Sequence, residues 1–343
     1  AEEQVENDSW WEKYVNNIFY KIKKNLDQDF LGKRISFIKS YPLDNLIEHG
    51  VSRKRRPDFG IEFENNGCKV IIFIELKCSD HSQYFISGYR DFHNLVNVAK
   101  SNLHSEEEKV EVYGLFAVHS KNKKEIIDFR YKAQNLGIEI PILEKEDFDY
   151  LEQSCEINES YAFLEFLTNY MKSFKYNFEN DIEVTAFRYF NFASNPENTF
   201  HVFKMSAFDL LRMAIVERAT YSNSLEDTQD IKYQRPLEVK RINEISEGIL
   251  KKSFLFNFPN NIIVNLDEAK TKIHINKPND DSDIVRVKFP MVFGALQVID
   301  GQHRLFSFFK VLKKMQFGAK LTKDYYFSVL TYFNLTEKDK YLI

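Results

Sequence analysis

Three cysteines in 343 residues, Cys68, Cys78 and Cys155, are too few and too irregularly spaced for a disulfide framework or a zinc site. They suit a reducing cytoplasm, which is the expected location. No apolar run approaches the roughly 18 residues of a membrane helix. The N-terminal stretch carries acids and aromatics instead of the basic, apolar and small-residue order of a signal peptide. Neither secretion nor a membrane span is expected. A strong charge of either sign is also missing: the net charge is −4 with 29% charged residues. A nucleic-acid partner would therefore be held by local basic patches and not by a global field. Internal repeats and low-complexity tracts are absent too.

What is present is enough apolar material, 43% of the residues, for a sizeable core. The length exceeds the usual size of a single core and points to two domains. Residues 1–145 read as helix (Trp10–Leu26, with Trp11, Tyr14, Val15, Ile18, Phe19 and Ile22 in a helical stripe), a short helix ending near Gly50, and strands over Asp58–Glu64 and Lys69–Leu76. A helix over His81–Leu103, a strand over Val110–Val118, a helix over Lys121–Leu136 stopped by Gly137, and a strand over Ile138–Leu143 follow. That order is a three-layer α/β arrangement. Residues 146–180 read as a helical bridge, and a second domain of α+β type occupies 181–343. Its elements include a strand through Val184–Phe192, a helix to about Lys252 with Pro236 at its first position, strands Ile262–Leu266 and Leu296–Ile299, a helix over His303–Lys314 and a last strand over Tyr325–Phe333. So little follows that strand that the domain reads as incomplete.

Chemistry concentrates at two places. Asn66-Gly67 is the best short hairpin signal in the chain, because both residues accept the positive φ of a two-residue type I′ turn. Counting outward, that turn sets Asp58 opposite Glu75. Residues directly opposed in an antiparallel pair share a face, and Lys77, two along, shares it too. Two carboxylates and an ammonium are thereby assembled by one hairpin, beside the basic run Arg53-Lys54-Arg55-Arg56. The apolar run Val70–Ile74 marks a strand buried on both sides, where unpaired charges at its end are costly. Phosphodiester hydrolysis needs a hard cation and a charge to steady the phosphorus. Asp58 and Glu75 supply oxygen ligands, with the carbonyl of Leu76 as a third, and Mg²⁺ (or Mn²⁺) fits best.

Pro57, Asp58, Glu75 and Lys77, with the hairpin between them, resemble the PD-(D/E)xK nuclease superfamily over about residues 10–145. The resemblance implies a restriction-endonuclease-like fold and magnesium-dependent cleavage of double-stranded DNA by paired sites, hence a homodimer. Some members add a glutamine and tyrosine from the next helix. Gln83 and Tyr84 are near, but without the family's spacing. Glu48 is a candidate fourth acid.

The second place is Ile299-Asp300-Gly301-Gln302-His303-Arg304. A strand, a glycine turn and a helix leave backbone amides free at a helix N-terminus, which favours anions. Arg304 would add a bidentate phosphate contact, and His303 a donor or acid. The string resembles the signature of DGQHR-domain proteins, the DndB-like group tied to phosphorothioate and related DNA modification, and more distantly the ParB/sulfiredoxin fold. Tyr233-Gln234-Arg235-Pro236 and Phe258-Pro259-Asn260-Asn261-Ile262 match that family's upstream blocks. The resemblance implies nucleotide (NTP) binding by Gln234, Arg235 and Asp300–Arg304, coupled to DNA sensing.

Together the two halves read as a bacterial antiphage restriction factor, inspecting DNA with one part and cutting with the other, alongside partner proteins of a modification system. The alternatives are a DndB-like DNA-binding regulator that cuts nothing, and an NTPase whose N-terminal domain docks DNA.

Overall fold

The computed structural model describes residues 2–26, 36–43, 56–103, 109–158, 160–171, 173–190, 199–216, 237–251, 258, 260–266, 268, 273–276, 283–313 and 315–335. Glu48, Arg53, Lys54, Arg55, Gln234 and Arg235 lie outside them, as does the expected helix end at Gly50. The chain divides into two compact units, Ala1–Cys155 and Glu156–Ala219 with Ile231–Ile343.

The first unit is built on a five-stranded sheet in the order β1(Ser36–Lys39), β2(Phe59–Asn65), β3(Cys68–Cys78), β4(Val110–His119), β5(Ile142–Leu143). β1, β2 and β3 run antiparallel, while β3–β4 and β4–β5 are parallel. Asn66 and Gly67 adopt φ of 51° and 71°, as the tight turn requires. β3, the central strand, is apolar on both faces, and Val70 to Ile74 are all buried. One face carries Ile71 and Phe73 against α2(Ser82–Asn102) and α3(Lys123–Gln134), through Phe85, Tyr89, Phe92 and Phe129. α1(Glu2–Leu26) buries Trp11, Val15, Ile18, Phe19 and Ile22, and its Phe19 ring meets Phe59 of β2, whose partner Ile74 belongs to the other face of β3. The result is helix, sheet and helices in three layers.

The expected strand Ile138–Leu143 shrinks to its last two residues. The Tyr89 hydroxyl donates to the carbonyls of Ile138 and Ile140 at 3.2 and 2.6 Å, and so satisfies acceptors that a strand would have paired in a ladder. The segment expected as a bridge divides. α4(Lys145–Asn158) spans the boundary between the units, and α5(Ser160–Tyr170) belongs to the second, where the Tyr161 ring meets Phe293 and Phe309.

The second unit holds an eight-stranded sheet, β10-β11-β6-β7-β13-β9-β12-β8. Its strands are β6(Asn177–Phe190), β7(Thr199–Ser206), β8(Ala214–Ile215), β9(Ile262–Leu266), β10(His274–Asn276), β11(Ile284–Val292), β12(Leu296–Asp300) and β13(Tyr326–Phe333). All neighbours are antiparallel except β13–β9 and β12–β8. β11, β6, β7 and β13 alternate between buried and exposed residues along most of their length, whereas β9 and β12 are buried almost throughout; Val285, Ala186, Phe203, Val329 and Ile262 are buried on one face. Against it lie α6(Ala207–Met213) and α9(Met315–Asp324), with α8(Gln302–Leu312) packed on both helices and α7(Val239–Leu250) packed on α8. α7 begins at Val239 with Glu238 as its N-cap, so Pro236 is not its first residue. α9 was not expected from sequence. It contains Gly318, where a Cβ would lie 2.0 Å from the carbonyl oxygen of Val311, so only glycine lets the two helices approach this closely.

Candidate functional site

The hairpin register is the one the turn chemistry dictates. Asn65 pairs with Cys68 and Phe59 with Ile74, where the pairing ends; Asp58, the residue before β2, is one step beyond it, level with Glu75. Lys77 Nζ lies 2.5 Å from Glu75 Oε1, and all three side chains are half-buried. Asp58 Oδ2 accepts the Leu76 amide at 2.7 Å. In an extended strand the N–H and C=O of one residue point to the same edge. The Leu76 carbonyl therefore faces the Asp58 side, where the third ligand was expected.

Burial pushes the Asp58 carboxyl up from its ordinary value, opposed by the Leu76 amide and Lys77, with Glu12 adding to the rise and Lys39 opposing it. Burial pulls the Lys77 ammonium down, but Glu75 at its side, helped by Asp58 and Tyr84, outweighs this and holds it above the usual lysine range. Lys77 is therefore a fixed cation. The groups that would hold a hard divalent ion are the Asp58 and Glu75 carboxylates and the Leu76 carbonyl edge, and such an ion would relieve the cost of the buried Asp58 charge. Among the described residues, no group of three or more His, Cys, Asp or Glu side chains is gathered around one point. The site as described offers two acids and main chain.

Three contributors, Glu12, Lys39 and Gly88, were not legible in the motif, whereas Tyr84 stood out there by its nearness. Glu12 reaches the site from α1 and Lys39 from β1, paired to each other at 2.7 Å. Glu12 borders the buried stripe of its helix, a position that sequence periodicity marks only as surface. Tyr84 and Gly88, one turn apart on α2, flank Lys77. A Cβ at Gly88 would lie 3.1 Å from Lys77 Cε, so the glycine is the seat of the lysine stem.

At the other motif, Gly301 takes φ 93° and caps α8. The space a Cβ would fill holds Ile262 Cδ1 at 2.5 Å and Arg304 Nη2 at 2.9 Å. Arg304 is not extended toward an anion. Its Nη1 donates to the Asn260 carbonyl at 2.9 Å, and its Nη2 to the Asn261 carbonyl and to Asp300 Oδ2, both at 3.1 Å. His303 Nε2 accepts the Glu238 amide at 3.1 Å and so closes the start of α7. Gln302 opens α8 and Asp300 ends β12 on the surface. The expected phosphate grip is in this structure a clasp, in which Arg304 ties the turn to the approach of β9 and His303 ties it to α7. The reason lies in Asn260 and Asn261, whose carbonyls are brought within reach only by the β9–β12 pairing.

Among the described residues no helix is long and apolar enough to cross a membrane. No curated protein and no solved structure shows significant similarity to the chain. Residues 197–339, which contain the glycine turn and its clasp, match the family model DndB, described as DNA-sulfur modification-associated, and the C-terminal part of the chain is thus DndB-like.

Proposed function

We propose that the chain is a magnesium-dependent DNA endonuclease of a DNA-modification-linked restriction system, with cutting by the first unit and DNA inspection or regulation by the second. One observation supports the reading: Asp58, the residue before β2, accepts the Leu76 amide, and Leu76 lies on β3 between Glu75 and Lys77, which are paired with each other. Asp58 and Glu75 would hold Mg²⁺ or Mn²⁺, which polarises a phosphoryl oxygen and activates water when bound. Lys77, kept charged by its acidic neighbours, would meet the developing charge on phosphorus. The DndB match supports the modification context, phosphorothioate DNA being the chemistry at issue. An NTP at the Gly301 turn would be met by backbone amides and not by the Arg304 fork, which is committed elsewhere.

The test is incubation of purified protein with modified and unmodified plasmid, with and without Mg²⁺ and NTP. Asp58→Ala and Lys77→Ala should each abolish Mg²⁺-dependent nicking while DNA is still retained. Nicking that survives both substitutions removes the assignment. A second reading, a DndB-like regulator that binds DNA and cuts nothing, is favoured by the confinement of the family match to 197–339. A Mn²⁺ soak separates the two: an ion bridging Asp58 and Glu75 supports the enzyme, and its absence supports the regulator.

A further inference from the structure

The face of the eight-stranded sheet turned away from α6 and α9 is ordered in rows. Ile284 is opposed to Phe187, Phe187 to Val202 and Val202 to Leu330, so one apolar row crosses β11, β6, β7 and β13. Beside it Tyr189 is opposed to Phe200 with rings 5.2 Å apart and 9° from parallel, and Phe200 meets Tyr332 at 5.8 Å. These are not rim residues of a core: Phe187 is 50% exposed, Tyr189 48% and Ile284 45%. A contiguous aromatic and aliphatic patch of this kind on a sheet face marks a binding surface.

The row on the other flank of Phe187 is of different character. Arg286 is opposed to Thr185, and Lys204, on the same face of β7, is opposed to Ser328. All four are exposed, and the row holds two cations, two hydroxyls and no acid. The next row partly compensates it, through Glu183 at 3.8 Å from Arg286 and the pair Asp181–Lys288 at 3.0 Å. Neighbouring rows on one face lie about 7 Å apart, two residues of strand rise. A polar, cationic track therefore runs about 7 Å from the row that holds Phe187 and about 14 Å from the Tyr189–Phe200 pair.

We infer that this face binds single-stranded DNA, with phosphates along Arg286 and Lys204 and unpaired bases laid over Phe187 and against the Tyr189–Phe200 pair beyond it. The inference deepens the reading of the second unit as a DNA-handling module and rests on it. Stacking requires bases out of the duplex, so the partner is a melted or end-frayed strand and not intact double helix. The occupant is chosen by chemistry: an exposed aromatic and aliphatic face bordered by cations and hydroxyls complements a polyanion carrying flat rings.

Fluorescence anisotropy of a labelled oligothymidine with the full chain, in EDTA so that nothing is cut, tests it. Wild-type protein should bind the strand with strong salt dependence. Tyr189→Ala and Phe200→Ala should each weaken binding about tenfold, Tyr189→Phe should bind as wild type, and Lys204→Ala should reduce the salt slope. An intact duplex of the same length should bind equally well to wild type and both alanine variants. Unchanged oligothymidine binding in both alanine variants overturns the inference, as does a wild type that retains duplex but no single strand. Protein that retains neither form of DNA fails the broader reading instead. If light scattering shows a dimer that Phe187→Ala dissociates without changing oligothymidine binding, the face belongs to a second copy of the chain and the inference is again overturned.

Discussion

Arg304 offers the sharpest quantitative test, because its two readings predict opposite things about a ligand-free protein. A phosphate-gripping arginine would cost the folded state little when removed. The observed side chain instead donates to two main-chain carbonyls and to Asp300. A hydrogen bond from a charged donor contributes about 1.5–3 kcal/mol. Asn260 is exposed, so the lower end applies to both carbonyl bonds, about 3 kcal/mol together. The ion pair with Asp300, itself 68% exposed, adds under about 1 kcal/mol. Arg304→Ala should thus cost roughly 3 kcal/mol, which for a unit of this size lowers Tm by about 6–12 °C. Arg304→Lys should recover little, since an ammonium cannot serve two carbonyls with a rigid fork. Thermal melts in nucleotide-free buffer provide the assay, and the sequence supplies an internal control. Both tryptophans, Trp10 and Trp11, lie in the first unit, so their fluorescence should melt as in wild type while the circular-dichroism transition of the second unit moves down. A second-unit transition unmoved by Arg304→Ala, or restored by lysine, would refute the clasp.

Two further outcomes follow from particular contacts. Gly88→Ala removes a helix-interior glycine and should leave Tm unchanged or raise it, by up to about 1 kcal/mol of stability. The same methyl crowds the Lys77 stem at 3.1 Å, so nicking should fall; activity equal to wild type would show that the seat is not needed. His201 is buried with neither ring nitrogen hydrogen-bonded. Its burial, with Arg188 opposite, pushes its pKa down to about 4 from the ordinary 6.5. The unfolded chain therefore takes up this proton first. Stability should hold above pH 6.5, decline as the pH falls from 6.5 to 4, by about 3 kcal/mol, and lose no more from this group below pH 4, in urea titrations. The decline should be absent in His201→Phe, and a decline of equal size in that variant would assign the effect to other groups.

The hairpin was legible because its signals are local: a turn dipeptide with one compatible conformation, a period of two, and an apolar run too continuous for a one-sided strand. Register follows from those alone, and with it the placing of Asp58 beside the strand that carries Glu75 and Lys77. What stayed hidden depends on residues far apart in sequence. The clasp of Arg304 needs Asn260 and Asn261, the truncated β5 needs the Tyr89 hydroxyl, and α9 needs a glycine that reads as a helix breaker until Val311 is placed behind it. β1, four residues long and flanked by polar sequence, carries too little periodicity to stand out, and Lys39 was missed with it. The string Asp300–Arg304 was recognisable as a motif, yet its residue types are equally suited to holding an anion and to holding the protein's own carbonyls.

Asp58, Glu75, Lys77 and the glycine on which the lysine rests all fall within one uninterrupted stretch that ends at Gly88. A gene fragment encoding that stretch carries the acids, the cation and its seat together. Recombination between related genes would then pass the whole arrangement on, or lose it, as a single heritable block. Descendants that abandon the chemistry should show it as simultaneous decay across this block, while the surrounding sheet and helices persist.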